Sequence, residues 1–176
     1  MLGKLQGVGK MNLIDTSTAV WNRAKKTKPL RAKPMVSLLV DKTVMTKFLL
    51  DTLEAREPIS PNTLFCIGEA GDAWQQTPDK MLKKYDVVNI DTEGWMICNP
   101  KPENEVHFFE LTPDKYSAPY GSELYIRGLW GEEINGEKNI QRCLPGDFVC
   151  RQPHDYNDQW VVRRKLFLNT YVVIGN

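Results

Sequence analysis

The sequence has no apolar run of 18 residues, the length that predicts a membrane-spanning helix. Its formal net charge is only +1, whereas strong nucleic-acid binders are usually far more basic. It has two histidines and four cysteines, and the cysteines form no close pair of the kind that zinc sites use. We therefore expect no membrane contact, no metal and no cofactor, and we rank nucleic acid last among the possible partners.

What the sequence does contain is a stretch that occurs twice, at residues 61–88 and 145–174. Each copy places a cysteine five positions after a proline, then a turn, an Asp-x-Trp segment, and a tyrosine eleven positions after the tryptophan. The turn is two residues longer in the second copy. This pattern predicts two related units. The matched residues are Pro61 and Pro145, Cys66 and Cys150, Asp72 and Asp158, Trp74 and Trp160, and Tyr85 and Tyr171.

Each copy is predicted to form a β-hairpin, a short helix and a strand. The segment Thr77-Pro78-Asp79 predicts a helix start, because Thr caps, Pro suits the first position and Asp suits the positive end. In the second copy three cations at 163–165 stand at the helix start, so we expect a poorer helix there. The two tryptophans are expected to anchor each hairpin against its helix; the alternative is a pair of aromatic platforms for a ligand.

Outside the copies, apolar residues at helical spacing predict a helix over 15–26, and a short apolar run predicts a strand at 35–40. Residues 41–56 fit either a helix or two strands. Segments 95–98 and 106–111 are predicted to pair as a central hairpin, and Asn135-Gly136 predicts a tight turn. The predicted fold class is α+β, mainly antiparallel β with a few short helices, built from two related hairpin–helix–strand units.

The chain is divided accordingly. Residues 1–10 are expected to be a flexible extension, and residues 11–111 a first unit with an N-terminal helix and the central hairpin. Residues 112–122, rich in Pro, Tyr, Ser and Gly, are a predicted linker. Residues 123–176 form the second unit, and the two units can pack as one globular domain.

Chemically versatile side chains concentrate in and beside the two hairpin turns. Paired carboxylates and a histidine supply acid–base chemistry when a cleft holds them together, but turns are also where acidic residues are ordinarily solvated. The sequence therefore leaves open whether the protein is an enzyme, and it assigns no catalytic residue. The candidate binding residues are Glu69, Asp72, Trp74, His154, Asp158 and Trp160.

The second copy resembles a motif of small tailed-phage proteins. It combines a Pro-Gly-Asp-aromatic segment (145–148), a hairpin with a tryptophan, and a Phe-x-x-Thr-Tyr ending (167–171). Segment 66–85 is similar to the same module, although Asn62-Thr63 stands where Gly-Asp would. Taken together, residues 11–176 resemble the uncharacterised accessory, or early, proteins of large lytic phages of the T-even type. The resemblance implies a phage origin, a location in the host cytoplasm and a part in host takeover, but no reaction.

Two classes of function stay open. The first is a non-enzymatic binding module for a host protein or a small ligand. The second is a small enzyme or binding protein for nucleotides or ADP-ribose, which the phage resemblance and the basic run at 25–33 favour. A cleft between the two copies that held the turn residues Glu69, Asp72, His154 and Asp158 would favour a ligand or a substrate over a protein partner.

Overall fold

The computed structural model describes residues 11–38, 49–52, 55–120 and 122–175. Within these residues the chain is mostly antiparallel β-sheet with two short α-helices, as predicted. The helices are α1 (Pro78–Lys84) and α2 (Arg164–Thr170). The strands are β1 (Asn12–Leu13), β2 (Asn22–Lys26), β3 (Leu30–Pro34), β4 (Leu49–Asp51), β5 (Arg56–Pro58), β6 (Leu64–Gly68), β7 (Ala73–Gln76), β8 (Tyr85–Ile90), β9 (Met96–Pro100), β10 (Glu105–Glu110), β11 (Leu124–Ile134), β12 (Glu137–Cys143), β13 (Phe148–Arg151), β14 (Gln159–Val162) and β15 (Tyr171–Ile174).

The first sheet has the strand order β7-β6-β3-β9-β8, and all its neighbouring strands run antiparallel. Side chains alternate along β6, so that Leu64 and Cys66 are buried on one face. Helix α1 packs on this face through Met81, which is fully buried. The resulting core consists of Leu30, Ala32, Leu64, Cys66, Met81, Tyr85 and Cys98.

The second sheet has the strand order β14-β13-β10-β2-β15, again antiparallel throughout. Helix α2 packs on one face through Phe167. The Phe167 ring stacks on Phe148 at a centroid distance of 4.0 Å and on Tyr171 at 4.8 Å. Burying stacked aromatic rings is strongly stabilising, so this stack secures α2 to its sheet. The core consists of Ala24, Val106, Phe108, Phe148, Cys150 and Phe167.

A third sheet, β1-β11-β12, packs against the other face of the second sheet. Its Leu124 and Ile126 share one core with Phe109 of the second sheet. The β11–β12 hairpin reverses at Asn135 and Gly136, which both have positive φ (51° and 80°), as the Asn-Gly turn signal predicted. Strands β4 and β5 form a separate two-stranded sheet.

The predicted helix over 15–26 is wrong. Only a turn of 3-10 helix at Thr16–Thr18 is present, capped by Asp15, and β2 follows it. Strand β2 lies between β10 and β15, where its backbone is hydrogen-bonded on both sides and Ala24 is fully buried. Val20, which the helical pattern counted as apolar and inward, is 78% exposed. Pairing with two distant strands therefore overrides the local helical pattern.

The segment around residue 35 also differs from its prediction. The first strand of this region is β3, inside the basic run, while Met35–Ser37 forms a 3-10 turn. Residues 39–40 of the predicted strand and residues 41–48 and 53–54 of the ambiguous segment lie outside the described residues. The described remainder of that segment, β4 and the start of β5, is strand.

The predicted central hairpin is wrong as well. Strand β9 pairs with β3 and β8 in the first sheet, whereas β10 pairs with β2 and β13 in the second. Because β9 already has a neighbour on each side, it has no free edge for β10. Residues between them hold the chain to the end of α1, since the Lys101 N–H donates to the Lys84 carbonyl at 2.8 Å. The chain thus crosses from one sheet to the other at this point.

The two copies of the repeated stretch occupy corresponding places in the two large sheets. Hairpin β6–β7, α1 and β8 belong to the first sheet, and hairpin β13–β14, α2 and β15 to the second. In each sheet the hairpin forms one end and the strand after the helix forms the other. The second sheet includes β2 and β10, which precede the predicted linker at 112–122, so the sheets do not divide at that linker.

Candidate functional site

A cleft of about 340 Å³ lies between the two hairpin–helix–strand segments. Residues of β7 and α1 line one side, and residues of β14 and α2 line the other. Tyr85 and Tyr171, the first residues of β8 and β15, also line it, as does Lys26 at the end of β2. Its volume falls within the range of pockets that bind small molecules.

Two tryptophans face the cleft from equivalent hairpins. Trp74 is the cross-strand partner of Cys66, and Trp160 is the cross-strand partner of Cys150. Both tryptophans are half-buried, and each packs against the core of its own sheet. Cross-strand partners point to the same face of a sheet, so each tryptophan lies on the face that carries the buried cysteine opposite it. This face of each hairpin lines the cleft.

Lysine ammonium groups lie over these rings. The Lys26 Nζ is 4.7 Å from the ring centre of Trp74, and the Lys84 Nζ is 4.9 Å from that of Trp160. Lys26 Nζ also lies 5.7 Å and 6.0 Å from the ring centres of Tyr85 and Tyr171. Cation–π attraction holds both ammonium groups in place without neutralising them. Among the described residues, neither lysine has a carboxylate within ion-pair distance.

The environment of Lys84 opposes its charge. The pKa of Lys84 is lowered to about 8, mainly by burial; the positive charges of Lys80 and Lys26 act in the same direction, and Asp158 acts in the opposite direction. The Tyr171 phenol is affected too, because burial raises its pKa well above the ordinary value. The cleft therefore holds a lysine whose positive charge would be stabilised by an added anion.

Three carboxylates line the cleft, and each has a different environment. Asp158 is buried and accepts a hydrogen bond from Lys80 Nζ at 3.5 Å. Burial raises the pKa of Glu57, against a hydrogen bond from Gln75 that lowers it. Asp72 has a buried Oδ1 atom with no hydrogen-bond partner. Asp158 and Lys80 neutralise each other's charge. Lys26 and Lys84 are therefore the cations of the cleft that are available to a ligand.

The two sides of the cleft differ in polarity. Counting from the matched tryptophans, polar residues of β7 and α1 correspond to mostly apolar residues of β14 and α2. One side can therefore bind an anionic or hydrogen-bonding group, and the other can pack against an apolar group. The corresponding cleft residues are Gln75 and Val161, Gln76 and Val162, Lys80 and Leu166, and Lys84 and Thr170.

Four of the six candidate binding residues line this cleft: Asp72, Trp74, Asp158 and Trp160. The other two do not line it. Glu69 is exposed in the turn between β6 and β7, and His154 is exposed in the loop between β13 and β14. The prediction missed the lysines, because Lys26 reaches the cleft from a distant strand that the sequence presented as a helix. It also missed Tyr85 and Tyr171, although their matched positions in the repeat were a usable signal.

All four cysteines are buried, and none of them is in a disulfide. Burial raises the pKa of the Cys66 thiol to about 12, and it raises the pKa of the Cys150 thiol as well. Both thiols are therefore protonated at neutral pH, and a protonated thiol is a poor nucleophile. At their matched positions opposite the two tryptophans, Cys66 and Cys150 pack in the cores of the two sheets.

Comparison with protein-family models, curated proteins and solved structures finds no match for this chain. Across the described residues, His, Cys, Asp and Glu side chains form no group of three or more that could hold a metal ion. Neither α1 nor α2 is long and apolar enough to cross a membrane, and the described part of the chain has no other α-helix.

Proposed function

We propose that this protein is a non-enzymatic binding module, and that its cleft binds a small organic anion of nucleotide size. The observation that supports this most directly is the pair of lysines, Lys26 and Lys84, held over aromatic rings with no carboxylate partner in the described residues. A phosphate or carboxylate group between them would supply the missing negative charge.

The apolar side of the cleft adds a second requirement. Val162 and Leu166 offer no hydrogen bonds, and an inorganic ion would leave them in contact with water. A ligand with a planar apolar group and an anionic group matches both sides at once. Nucleotides belong to this class.

Binding is favoured over catalysis by the side chains available. The buried thiols are protonated, and neither histidine lines the cleft. The Asp158 carboxylate is already paired with Lys80. A general acid–base pair with a shared substrate position is therefore not supported by this arrangement, so we assign the cleft to recognition.

We infer in addition that the two segments descend from one duplicated unit. The support is their identical order of elements and the matched cross-strand pairs Cys66–Trp74 and Cys150–Trp160. The carbonyl of the last residue of each helix also accepts a matched hydrogen bond: Lys101 N–H donates to Lys84 O, and Thr27 N–H donates to Thr170 O, both at 2.8 Å. Strand β2 stands in the second sheet where β9 stands in the first. A cleft between duplicated units places equivalent aromatic residues on both sides.

The phage origin, the host-cytoplasm location and the host-protein partner stay predictions from the resemblance. No feature of the cleft bears on them. A small ligand is the part of the original hypothesis that the cleft supports, and nucleotides are the first class to test.

The experiment compares three probes by thermal shift and calorimetry: adenosine monophosphate, adenosine and inorganic phosphate. A ligand that binds only the folded state raises the melting temperature. We expect the monophosphate to give the largest rise, because only it carries both the ring and the anion. Other nucleoside monophosphates then define which ring is preferred.

Matched variants locate the site. Lys84→Met removes the ammonium group over Trp160, whereas Lys83→Met removes an exposed cation from the same helix. We expect about tenfold or weaker binding for Lys84→Met and little change for Lys83→Met. If no nucleotide or other organic anion shifts the melting temperature at millimolar concentration, the anion-binding proposal is wrong.

A further inference from the structure

A second group of polar side chains lies away from the cleft, on the opposite face of the second sheet. Arg151 of β13 and His107 of β10 are cross-strand partners in this sheet. Side chains alternate along a strand, so this pair points away from the face that carries Phe108 and Cys150. The cleft residues and this pair therefore belong to different surfaces.

The Arg151 guanidinium is enclosed by two aromatic rings. It lies 4.0 Å from the ring centre of Trp21 and 3.7 Å from that of Tyr156. Trp21 is itself held by an edge-on contact with Phe109 at 4.8 Å, so its position is well defined. Stacking on both faces leaves only the edge of the guanidinium, where its N–H donors lie, for hydrogen bonding.

No acceptor meets those donors. In the part of the chain that the structure describes, Arg151 makes no side-chain hydrogen bond or ion pair, and its buried Nε lacks a partner. The buried Nδ1 of His107 lacks one too. Buried polar atoms are nearly always hydrogen-bonded, so two orphaned atoms on paired residues indicate a missing partner.

The local charge is positive. Glu105 lies on β10, two residues before His107, but its carboxylate already accepts a bidentate contact of 2.8–3.0 Å from Arg23. Burial lowers the pKa of His107, as do the charges of Arg151, Arg23 and His154, while Glu105 acts in the opposite direction. An incoming anion would meet the Arg151 guanidinium, which has no carboxylate within ion-pair distance among the described residues.

We propose that Arg151 and His107 form a second binding site, for a small oxyanion such as a phosphate or a carboxylate group. The planar edge of Arg151 donates two parallel hydrogen bonds to the anion, the geometry that arginine favours with such groups. His107 adds a donor from the adjacent strand. Tyr156, which is 60% exposed, covers the guanidinium from the solvent side. This site is independent of the cleft and of the ligand proposed for it.

The test is an NMR titration of the two histidines. The variant His154→Gln identifies which signals belong to His107. The side-chain signals of His107 are followed over pH in chloride, phosphate and acetate at equal ionic strength. A bound anion favours the protonated imidazole, so phosphate or acetate is expected to raise the pKa of His107 in a saturable way, with a smaller change at His154. Anion binding should correspondingly tighten as the pH falls.

Variants assign the response to Arg151. Arg151→Gln is expected to abolish it, and Arg151→Lys to weaken anion binding about tenfold, because lysine keeps the charge but not the planar fork. The matched control is Arg31→Gln, which removes an exposed arginine 5.4 Å from the ring centre of Trp95 on the first sheet and should leave the response intact.

Each outcome decides the proposal. A response to phosphate alone indicates a phosphate site, and an equal response to acetate indicates a carboxylate site. If neither anion changes the titration of His107 in the wild-type protein, or if the change persists in folded Arg151→Gln, the proposed site does not exist. The wild-type titration is sufficient for this decision if Arg151→Gln fails to fold.

Discussion

Helices α1 and α2 occupy equivalent places in the two sheets, but their first turns are stabilised differently. Helix α1 is capped locally: the Thr77 hydroxyl accepts from the Lys80 N–H, and Pro78 opens the helix. The residue at the start of α2, Arg163, provides no side-chain cap. Asp147 caps this helix instead, because its Oδ1 atom accepts a hydrogen bond from the Arg164 N–H at 3.3 Å. The same helix end is stabilised by a neighbour in one copy and by a distant turn in the other.

This difference explains the Pro-Gly-Asp segment of the second copy. Gly146 has a φ of +94°, which side chains disfavour, and this turn brings Asp147 into the protein. Asp147 then accepts from the Leu144 N–H at 2.8 Å and forms a buried ion pair with Arg163. In the first copy Thr63 stands at the matching position, and its hydroxyl makes only turn and hairpin contacts. The motif is therefore structural, and its polar residue supports α2.

The largest expected effect on stability comes from the residues that anchor the two helices. Phe167→Ala should lower the free energy of unfolding by about 4 kcal/mol, because it removes the ring stacked on Phe148 and Tyr171. Met81→Ala, at the matching position of α1, should lower it by about 3 kcal/mol. Denaturant unfolding measures both, with exposed Leu168→Ala as a control expected to change little. An equal or larger loss for Met81→Ala would show that the aromatic stack adds no stability.

Asp147 comes next. Asp147→Ala should cost about 3 kcal/mol, since it removes both the remote cap of α2 and the buried carboxylate that pairs with the Arg163 guanidinium. Asp147→Asn keeps one acceptor oxygen and should cost less. Unfolding by denaturant, with loss of helical circular dichroism, is the measurement. If Asp147→Ala costs no more than removal of the local cap in α1, the remote cap is not important.

The local cap itself is expected to have a smaller effect. Thr77→Ala should cost about 1 kcal/mol, the usual loss for an N-cap residue. Thr77→Ser retains the acceptor oxygen and should restore most of the stability. The same denaturant series gives both values. A loss well above that of Asp147→Ala would reverse the comparison of the two helices.

The smallest expected effect is a pH dependence from Lys84, which matches Thr170 in the other copy. The pKa of Lys84 is about 8 in the folded protein and its ordinary value is 10.5, so between these pH values the unfolded chain binds more protons. Wild-type stability should therefore rise relative to Lys84→Met as the pH increases from 8 to 10.5. We expect a difference below about 1 kcal/mol, because the side chain is only half-buried.

Thermal unfolding of the two proteins across this pH range checks the prediction, and the shared tyrosines and cysteines cancel in the difference. Lys83→Met serves as the exposed control and should show no such trend. If the stability of the wild type falls relative to Lys84→Met above pH 8, the surroundings of Lys84 stabilise its charged form and the prediction is wrong.

The sequence predicted well where structure depends on neighbouring residues. The α1 cap at Thr77, the Asn135-Gly136 turn and the two hairpins are local signals, and all are present. The prediction failed where a strand depends on distant partners. Residues of β2 show no clear alternation, and only pairing with β10 and β15 makes them a strand.

The same limit applies to the cleft. Trp74, Trp160 and their aspartates could be predicted because the repeat marks them in the sequence. Lys26 could not, since its contact with Trp74 depends on how two sheets meet and not on any spacing along the chain. The turn residues Glu69 and His154 were chosen by chemistry alone, and the hairpins direct them away from the cleft.

The position of β2 has a consequence for how the chain acquires its structure during synthesis. The five strands of the first sheet lie between residues 30 and 100 and can pair once that part has left the ribosome. In the second sheet β2 (Asn22–Lys26) lies between β10 and β15, and β15 (Tyr171–Ile174) follows β2 by more than a hundred residues. Strand β2 can pair with β10 once residue 110 is made, but closing the longer loop to β15 is slower, so the other edge of β2 stays unpaired until β15 is made. The first sheet is thus expected to fold early, with the cleft completed only after β15 has been made.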